Sequence, residues 1–264
     1  MDIGTAKPDL DHRRQFSYHL IDILEPHEQY TAGMFTQRAE ELCRNIVARG
    51  RIPVIEGGSV FYLHTFLTGM PATPAAHSSI RTELQQELSR FGPAALYSEL
   101  QRVDPTYAER ISAHDSYRIV RALEIFRQTG QPLSSFAIQK TVRSSLQPIV
   151  IGLQRDRGEL YRRIDERVEQ MFRRGLEQEI KDLISCGYGY GTPGLRAIGY
   201  QEFWDAEGNV RTSTADVCRL IQRNSRRFSK RQITFVNRIP EIQLIPADDV
   251  HALDRVLDHS IQRW

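Results

Sequence analysis

A run of cations with no acid among them lies near the end of the chain. The segment "SKRQITF" (229–235) adds Gln232, Thr234 and Phe235 to two of these cations. Cations bind phosphate, amides read base edges and a ring stacks on bases, so this set predicts binding of single-stranded RNA. A solvated helix face usually mixes both signs, and Phe235 is more often a core residue. The run contains seven cations: Arg219, Arg223, Arg226, Arg227, Lys230, Arg231 and Arg238.

The segment "EGGS" (56–59) follows an apolar stretch and precedes the helical pattern "VFYLHTFLTG". If the apolar stretch is a parallel strand, Gly57, Gly58 and Ser59 lie at its carboxyl end, where open α/β folds bind ligands. The helix amino terminus would then attract an anion. A plain strand-to-helix turn with Ser59 as its cap is the alternative.

The segment "YRRIDERVEQ" places Arg163 and Arg167 four residues apart, hence on one face of a helix. This helix follows a predicted strand, so the face should look toward the carboxyl edge of the sheet. Surface ion pairing with Asp165, Glu166 or Glu159 is the other interpretation of the two arginines.

The segment "RAIGYQ" (196–201) combines Arg196, Gly199 and Tyr200 in a way that helix propensity does not require. Glycine in a helical pattern costs about 1 kcal/mol relative to alanine. Close approach of another chain or a ligand is therefore expected at Gly199.

Other catalytic patterns are missing from the sequence. No Ser-His-Asp set, acid pair or metal-spaced histidine cluster stands out. Cys43, Cys186 and Cys218 are far apart and predict neither a disulfide framework nor a zinc site.

The elements that must position these residues form an alternating pattern. Segments 17–24 and 51–59 are predicted strands around a helix that Thr31 caps and Gly50 ends. Strands at 148–154 and 241–245 complete a parallel sheet of about four strands. We expect core α/β segments at 1–70 and 148–264, the second with RNA-binding helices, and a helical insertion at 71–147.

Composition is that of an ordinary globular protein, with 40% hydrophobic and 26% charged residues. No apolar run is long enough for a bilayer and no signal peptide begins the chain, which predicts a cytoplasmic protein without a membrane partner. We expect a monomer. The formal net charge is only +2, and just four of the 35 basic residues are lysines, namely Lys7, Lys140, Lys181 and Lys230.

Six segments occur in an order that covers nearly the whole chain. Together they closely resemble the bacterial tRNA dimethylallyltransferases, also called tRNA isopentenyltransferases. One such motif would be a weak signal, but six in sequence are a strong one. The segments are "MDIGTAKP", "GRIPVIEGGSVFY", "YRIVRALEIF", "DRGELYRRIDERVEQM", "LRAIGYQEFW" and "SKRQITF".

The resemblance implies a P-loop NTPase-like parallel sheet with an inserted helical domain. It also implies transfer of a dimethylallyl group from dimethylallyl pyrophosphate to the exocyclic amine of the adenosine 3′ of the anticodon in tRNA, with Mg²⁺. The adenine must be flipped out of its stack to react. Arg167 matches the arginine that holds the pyrophosphate, and Arg163 is a weaker candidate beside it.

The resemblance further implies a set of tRNA-contacting positions. Ser59, which stands where the family usually has Thr, and Arg81 match positions near the reacting base, and Gly57 and Gly58 match the backbone of the substrate pocket. Tyr117, Phe235 and Asn237 depart from the family's usual residues. The remaining contacts fall in three stretches: Tyr117, Arg118, Ile119, Val120 and Arg121; Arg196, Ala197, Ile198, Gly199, Tyr200 and Gln201; and Lys230, Arg231, Gln232, Ile233, Thr234, Phe235, Val236 and Asn237.

One part of the family pattern is missing from this sequence. The family has a first strand, a phosphate loop G-x-T-x-S-G-K-T and a segment D-S-x-Q-x-Y before "MDIGTAKP". The resemblance therefore predicts a chain that lacks the amino-terminal strand, the phosphate loop and the Mg²⁺-ordering residue, and that is inactive or impaired alone. Two alternatives stay open: a module that only binds tRNA, and a P-loop-type small-molecule kinase with a nucleotide-binding site.

Overall fold

The computed structural model describes residues 1–70, 73–74, 77–136 and 141–261, and its sheet is parallel. Strand β1 (Ile151–Gln154) pairs with strand β2 (Gln243–Pro246), with Ile151 opposite Gln243 and Gln154 opposite Pro246. These strands lie in the two predicted segments 148–154 and 241–245. The prediction of a mixed α/β protein with a parallel sheet is confirmed, and within the described residues the sheet has two strands.

The prediction of strands at 17–24 and 51–59 is wrong. Both segments are irregular, and Ile52, Val54 and Ile55 are exposed, Val54 to 85%. An apolar β-prone segment becomes a strand only when a neighbouring strand satisfies its backbone groups, and no described segment pairs with either stretch. The pattern identified segments that favour extended backbone, but it could not supply their partners.

The helices begin where the sequence provides caps. The Thr31 hydroxyl accepts from the Met34 amide at 3.2 Å, and the Asp156 carboxylate accepts from the Glu159 amide at 3.0 Å. Helix α2 ends before Gly50, whose φ is 67°. The helices are α1 (Leu10–Gln15), α2 (Ala32–Val47), α3 (Val60–Thr68), α4 (Ser78–Val103), α5 (Pro105–Ala108), α6 (Ser116–Thr129), α7 (Arg157–Arg173), α8 (Leu176–Ser185), α9 (Thr214–Val236) and α10 (Val250–Ile261).

The chain divides into two compact units, and the α/β unit comprises residues 1–67 and 144–264. One of its cores joins α7, α8 and α9 through residues such as Val168, Leu176 and Ile221. A second core joins α2, α3 and the end of α9 through Ala39, Phe66 and Val236, among others. Helix α9 contributes to both cores and is therefore the element that connects them.

The helical unit comprises residues 68–143 and has a core of its own. Helices α4 and α6 pack through fully buried leucine and isoleucine side chains, and α4 kinks at Gly92, whose φ is 75°, before Pro93. Its polar contacts include Arg127, which donates to both Glu87 and Glu99. The sequence predicts a helical insertion at 71–147; residue 71 lies outside the described residues.

None of the described helices combines the length and apolar character that crossing a membrane requires.

Candidate functional site

The carboxyl edge of the sheet carries a chain of charges. Arg155 follows β1, and its guanidinium lies 2.6 Å from the carboxylate of Asp248, which follows β2. The same guanidinium contacts Glu159 at 3.0 Å, and Glu159 contacts Arg163 at 3.7 Å. The Asp248 carboxylate, first among several causes, raises the pKa of Arg155. The face of α7 that carries Arg163 therefore connects to the carboxyl edge of both strands.

Arg167 lies one turn further along this face. A helix advances about 100° per residue, so Arg163 and Arg167 lie about 40° apart around the axis. Arg163 is held by Glu159, whereas Arg167 is exposed and makes no ion pair within the described part of the chain. Of the two arginines, Arg167 is thus the one whose charge is available to an anion.

The glycine loop, which we define as residues 57–59, lies at the start of α3. The Gly58 carbonyl accepts from the Val60 amide at 2.9 Å, and the Ser59 carbonyl accepts from the Tyr62 amide at 2.8 Å. The Gln232 side-chain amide on α9 donates to the same Gly58 carbonyl at 2.7 Å. Gly58 and Gln232 are 174 positions apart in the sequence. The glycine loop and the 230–237 stretch, which the sequence predicts as functional, are therefore in direct contact.

The cations of α9 divide into paired and available ones. Arg226 pairs with Asp165 of α7, and Arg219 pairs with Asp216 of its own helix. Arg227, Lys230 and Arg231 are exposed, and no acid within the described residues pairs with them. The charge of these three side chains, which we call the α9 cation set, is available to an external anion.

Helix α9 also connects α7 to the glycine loop. Arg226 contacts α7 and Gln232 contacts Gly58. These two positions are six residues apart, or about 9 Å along the helix axis. By the same geometry Arg167 lies about 160° around α7 from Asp165, so it does not lie on the face that meets Arg226.

The residues of the predicted 230–237 stretch that follow Gln232 differ in exposure. Ile233 and Asn237 are exposed, whereas Val236 and Phe235 pack against the second core. The Phe235 ring meets the His64 ring edge to face, with centroids 5.9 Å apart. Phe235 is partly buried against the second core, and the Arg238 guanidinium lies 5.9 Å from the centroid of its ring. Thr234 is exposed, and its hydroxyl donates to the Lys230 carbonyl.

The "RAIGYQ" segment is locked against the first residues of the chain. Gly199 has φ +103°, and a Cβ at this position would lie 2.9 Å from the Gly4 carbonyl oxygen. The close approach predicted at Gly199 is made by Gly4 of the same chain, not by a ligand. Tyr200 is completely buried, and a Cβ at Gly4 would lie 2.6 Å from its ring.

Three other members of this segment reach the surface. Arg196, Ala197 and Gln201 are exposed, whereas Ile198 packs against the first core. The Gly199 amide donates to the buried Glu202 carboxylate at 2.9 Å, and Glu202 also accepts from Asn224 of α9 at 2.7 Å. The exposed residues therefore sit on a loop that α9 helps to hold.

Glu179 of α8 anchors the same loop from the other side. Its carboxylate accepts from the Asp2 amide at 2.7 Å, the Ile3 amide at 2.9 Å and the Tyr200 hydroxyl at 2.5 Å. Burial raises the pKa of Glu179, but these hydrogen bonds outweigh burial and the net pKa lies below its ordinary value of 4.5. Burial, followed by the Glu179 carboxylate, raises the pKa of Tyr200.

The fold should therefore lose stability in acid through Glu179. A carboxyl whose pKa is lowered on folding stabilises the fold above the unfolded pKa, and the contribution is lost as the pH falls through the folded value. We expect Glu179→Gln to lower the free energy of unfolding at pH 7 by about 2 kcal/mol. The difference from wild type should shrink as the pH falls below about 4.5.

Urea unfolding of the two proteins at several pH values measures this effect. Glu169→Gln is the control, because Glu169 is exposed and its ion pair within the described residues is a long one, to Arg173 at 3.8 Å. A Glu179→Gln deficit that stays constant from pH 7 to pH 3 would contradict the role assigned to the carboxylate.

The helical unit holds the remaining predicted residues. Ile119 and Val120 are in its core and cannot meet a ligand in this structure. Arg121 pairs with buried Glu124 at 2.9 Å, whereas Tyr117 is 67% exposed. Arg118 is exposed and pairs with Asp115, and Arg81 is partly buried.

Two surface cavities lie away from the glycine loop and Arg167. One cavity, of about 420 Å³, is lined mainly by residues 7–11 together with Arg174. The other, of about 480 Å³, is lined by residues 1–3, by Glu179 and by neighbours of Glu179 on α8. Neither is lined by Ser59 or the α9 cation set.

Mg²⁺, which the family resemblance implies, does not fit a ligand group in the described residues. No cluster of three or more His, Cys, Asp or Glu side chains occurs there. We therefore assign none of the described residues to the metal.

Several of these contacts have no signal in the sequence. Glu179 and Asp248 occupy ordinary positions in helical and loop patterns, and their partners are distant along the chain. Arg155 could have been suspected, because it directly follows the predicted strand at 148–154. Only a folded structure shows that Gln232 meets Gly58.

A glycine loop at the start of a helix, held by a second helix whose cations are unpaired within the described residues, is an arrangement suited to an anionic ligand. A family model described as "IPP transferase" matches residues 1–239. The tRNA dimethylallyltransferase of Geobacter sulfurreducens is 39% identical over 249 residues, which is 93% of this chain and 79% of that protein. That of Borrelia hermsii is 38% identical over 94% of this chain and 82% of its own length.

Solved structures agree with these relatives. The full-length tRNA isopentenylpyrophosphate transferase of Bacillus halodurans aligns with a TM-score of 0.64 at 32% identity, covering 98% of this chain and 81% of its own. A eukaryotic dimethylallyltransferase acting on tRNA shares the fold, with a TM-score of 0.76 at 24% identity over 97% of this chain and 66% of its own. The chain belongs to the IPP transferase family, whose relatives here are named tRNA dimethylallyltransferases and are prenyltransferases.

Proposed function

We propose that the protein transfers a dimethylallyl group from dimethylallyl pyrophosphate to the exocyclic amine of the adenosine 3′ of the anticodon in tRNA. The observation that carries the proposal is the contact between the glycine loop and α9, whose cation set is unpaired in the described structure. This contact joins a region suited to a small anion and a surface suited to a nucleic acid backbone. The family assignment supplies the chemistry that connects them.

The reaction is a substitution at carbon. The exocyclic nitrogen bonds to the dimethylallyl carbon that bears oxygen, the carbon–oxygen bond breaks, and pyrophosphate leaves with the bonding electrons while the nitrogen loses a proton. Negative charge grows on the leaving oxygens, so a cation held near them lowers the barrier. Arg167 is the residue we assign to this role, and Arg163, already held by Glu159, is the weaker one.

RNA binding in this proposal rests on three groups of residues. The α9 cation set neutralises phosphates. Exposed Arg196 and Gln201 lie on the 196–201 loop, and Tyr117 offers an exposed ring on the helical unit. The reacting adenine is flipped from the anticodon loop toward Ser59 and the glycine loop. We assign no general base among the described residues.

A tRNA-binding module without catalysis is the second candidate. The observation that favours it is the exposed α9 cation set, which can bind phosphates without any catalytic group. The expectation that this chain alone is inactive or impaired belongs with this candidate.

A transfer assay separates the two functions. The purified chain is incubated with labelled dimethylallyl pyrophosphate, Mg²⁺ and a tRNA transcript, and label in the RNA is measured. The matched control transcript carries inosine in place of the adenosine 3′ of the anticodon, because inosine lacks the amine. We expect label only in the adenosine transcript. Binding of both transcripts without label would favour the binding module, and absence of binding would contradict both functions.

A further inference from the structure

The Gln232 side chain makes a specific contact with the glycine loop. Its Nε2 donates to the Gly58 carbonyl at 2.7 Å, and a Cβ built on Gly58 would lie only 2.4 Å from that Nε2. The absence of a side chain at Gly58 is therefore what allows the amide to approach. One of the two N–H donors of the amide is engaged in this contact, which fixes the orientation of the side chain toward the glycine loop.

The contact acts on the first turn of α3. The Gly58 carbonyl accepts from both the Val60 amide and Gln232, so the glutamine fixes the orientation of the peptide that begins the helix. A net hydrogen bond of ordinary strength changes the population of an ordered loop by about fivefold. Loss of Gln232 should therefore loosen the loop without unfolding α3, whose other end is held in the second core through Phe66.

Gln232 lies directly beside the residues that we expect to bind RNA. Lys230 and Arg231 immediately precede it and are exposed. One turn later, Phe235 packs against His64 of α3. The same two turns of α9 thus carry the cations that we expect to bind RNA, one contact to Gly58 in the glycine loop and one contact to His64 in α3.

We propose that Gln232 is a positioning residue that couples RNA bound on α9 to the order of the glycine loop. RNA that binds the α9 cation set restrains this part of the helix, and the Gln232 amide transmits the restraint to the Gly58 peptide. This inference rests on the proposed RNA-binding function and changes the role of Gln232 from an RNA contact to a holder of the loop.

Hydrogen exchange with and without an anticodon stem-loop RNA tests the coupling. In the wild type we expect the RNA to slow exchange in residues 57–63 by about fivefold. In Gln232→Ala these amides should exchange fast in both conditions, with RNA affinity within twofold of wild type. In Gly58→Ala these amides should also exchange fast in both conditions, because the new methyl group displaces the Gln232 amide.

Gln222→Ala is the matched control. Gln222 lies on the same helix and donates its side-chain amide to a backbone carbonyl of another element, Asp165 on α7, at 3.4 Å. Its removal should leave exchange at 57–63 and the response to RNA unchanged. Circular dichroism confirms that each variant is folded.

The outcomes are distinct. A Gln232→Ala protein that binds RNA tenfold more weakly while its loop responds as in wild type would show that Gln232 is an RNA contact and would overturn the inference. The same holds if the wild-type protein binds RNA without any change at 57–63. If the wild type binds no RNA, the proposed function fails along with the inference. Where transfer is measurable, Gln232→Ala should lower kcat and leave the KM for tRNA unchanged.

Discussion

Arg167→Ala should reduce dimethylallyl transfer by about 10²-fold to 10³-fold, the loss typical when one group that stabilises developing negative charge is removed. Arg167 is exposed and makes no ion pair within the described residues, so its removal breaks no contact of the fold. The loss should therefore appear in catalysis and not in stability. Binding of inorganic pyrophosphate, measured by calorimetry, should weaken by about tenfold or more.

Two neighbouring arginines provide controls for this experiment. Arg163→Ala should weaken pyrophosphate binding less, because Glu159 already engages its guanidinium at 3.7 Å. Arg162→Ala should have no effect, because Arg162 points elsewhere and pairs with Glu166 at 3.3 Å. If Arg167→Ala binds pyrophosphate as tightly as Arg162→Ala does, the assignment of Arg167 is wrong. The calorimetric readout does not depend on whether the chain turns over.

Replacement of the α9 cation set by glutamine should produce the largest loss of tRNA affinity. Each phosphate contact to a single strand contributes about 0.7 to the slope of log affinity against log salt. Loss of three contacts should lower that slope by about 2 and weaken binding by roughly 50-fold at 0.15 M salt. Filter binding across a salt series measures both quantities.

An equal change of charge elsewhere serves as the control. Arg44, Arg49 and Arg173 are not part of the proposed site, and their replacement by glutamine removes the same net charge. That triple variant should keep a slope close to the wild-type value. Equal losses in the two triple variants would mean that net charge, and not the position of α9, governs binding.

The sequence predicted the helices more accurately than the strands. Thr31 caps α2 as expected, and the basic segment 229–235 lies within one long helix, Thr214–Val236. Helices satisfy their own backbone groups, so local pattern is nearly sufficient to predict them. Strands depend on a neighbour that local pattern cannot provide, which is why 51–59 has the composition of a strand and is irregular in the structure.

The candidate site was predicted in part for a similar reason. The sequence identified the glycine loop, Arg167 and the cations of α9 by residue type and spacing. It could not distinguish Tyr200, which is completely buried, from exposed aromatic residues such as Tyr117. It also predicted close approach of another chain or a ligand at Gly199, where the structure has the Gly4 carbonyl. Burial is a property of the whole fold, and one sequence does not reveal it.

The separate core of the helical unit bears on whether this unit can be exchanged between members of the family. Leu84, Leu100, Ile119 and Leu123 pack only with other members of residues 68–143 in that core, and the Arg127 clamp closes within the same segment. A segment that carries its own interior can be exchanged between family members as a cassette, with splice points near 68 and 143. Such chimeras would reveal whether the choice among tRNAs travels with the cassette or stays with the α/β unit.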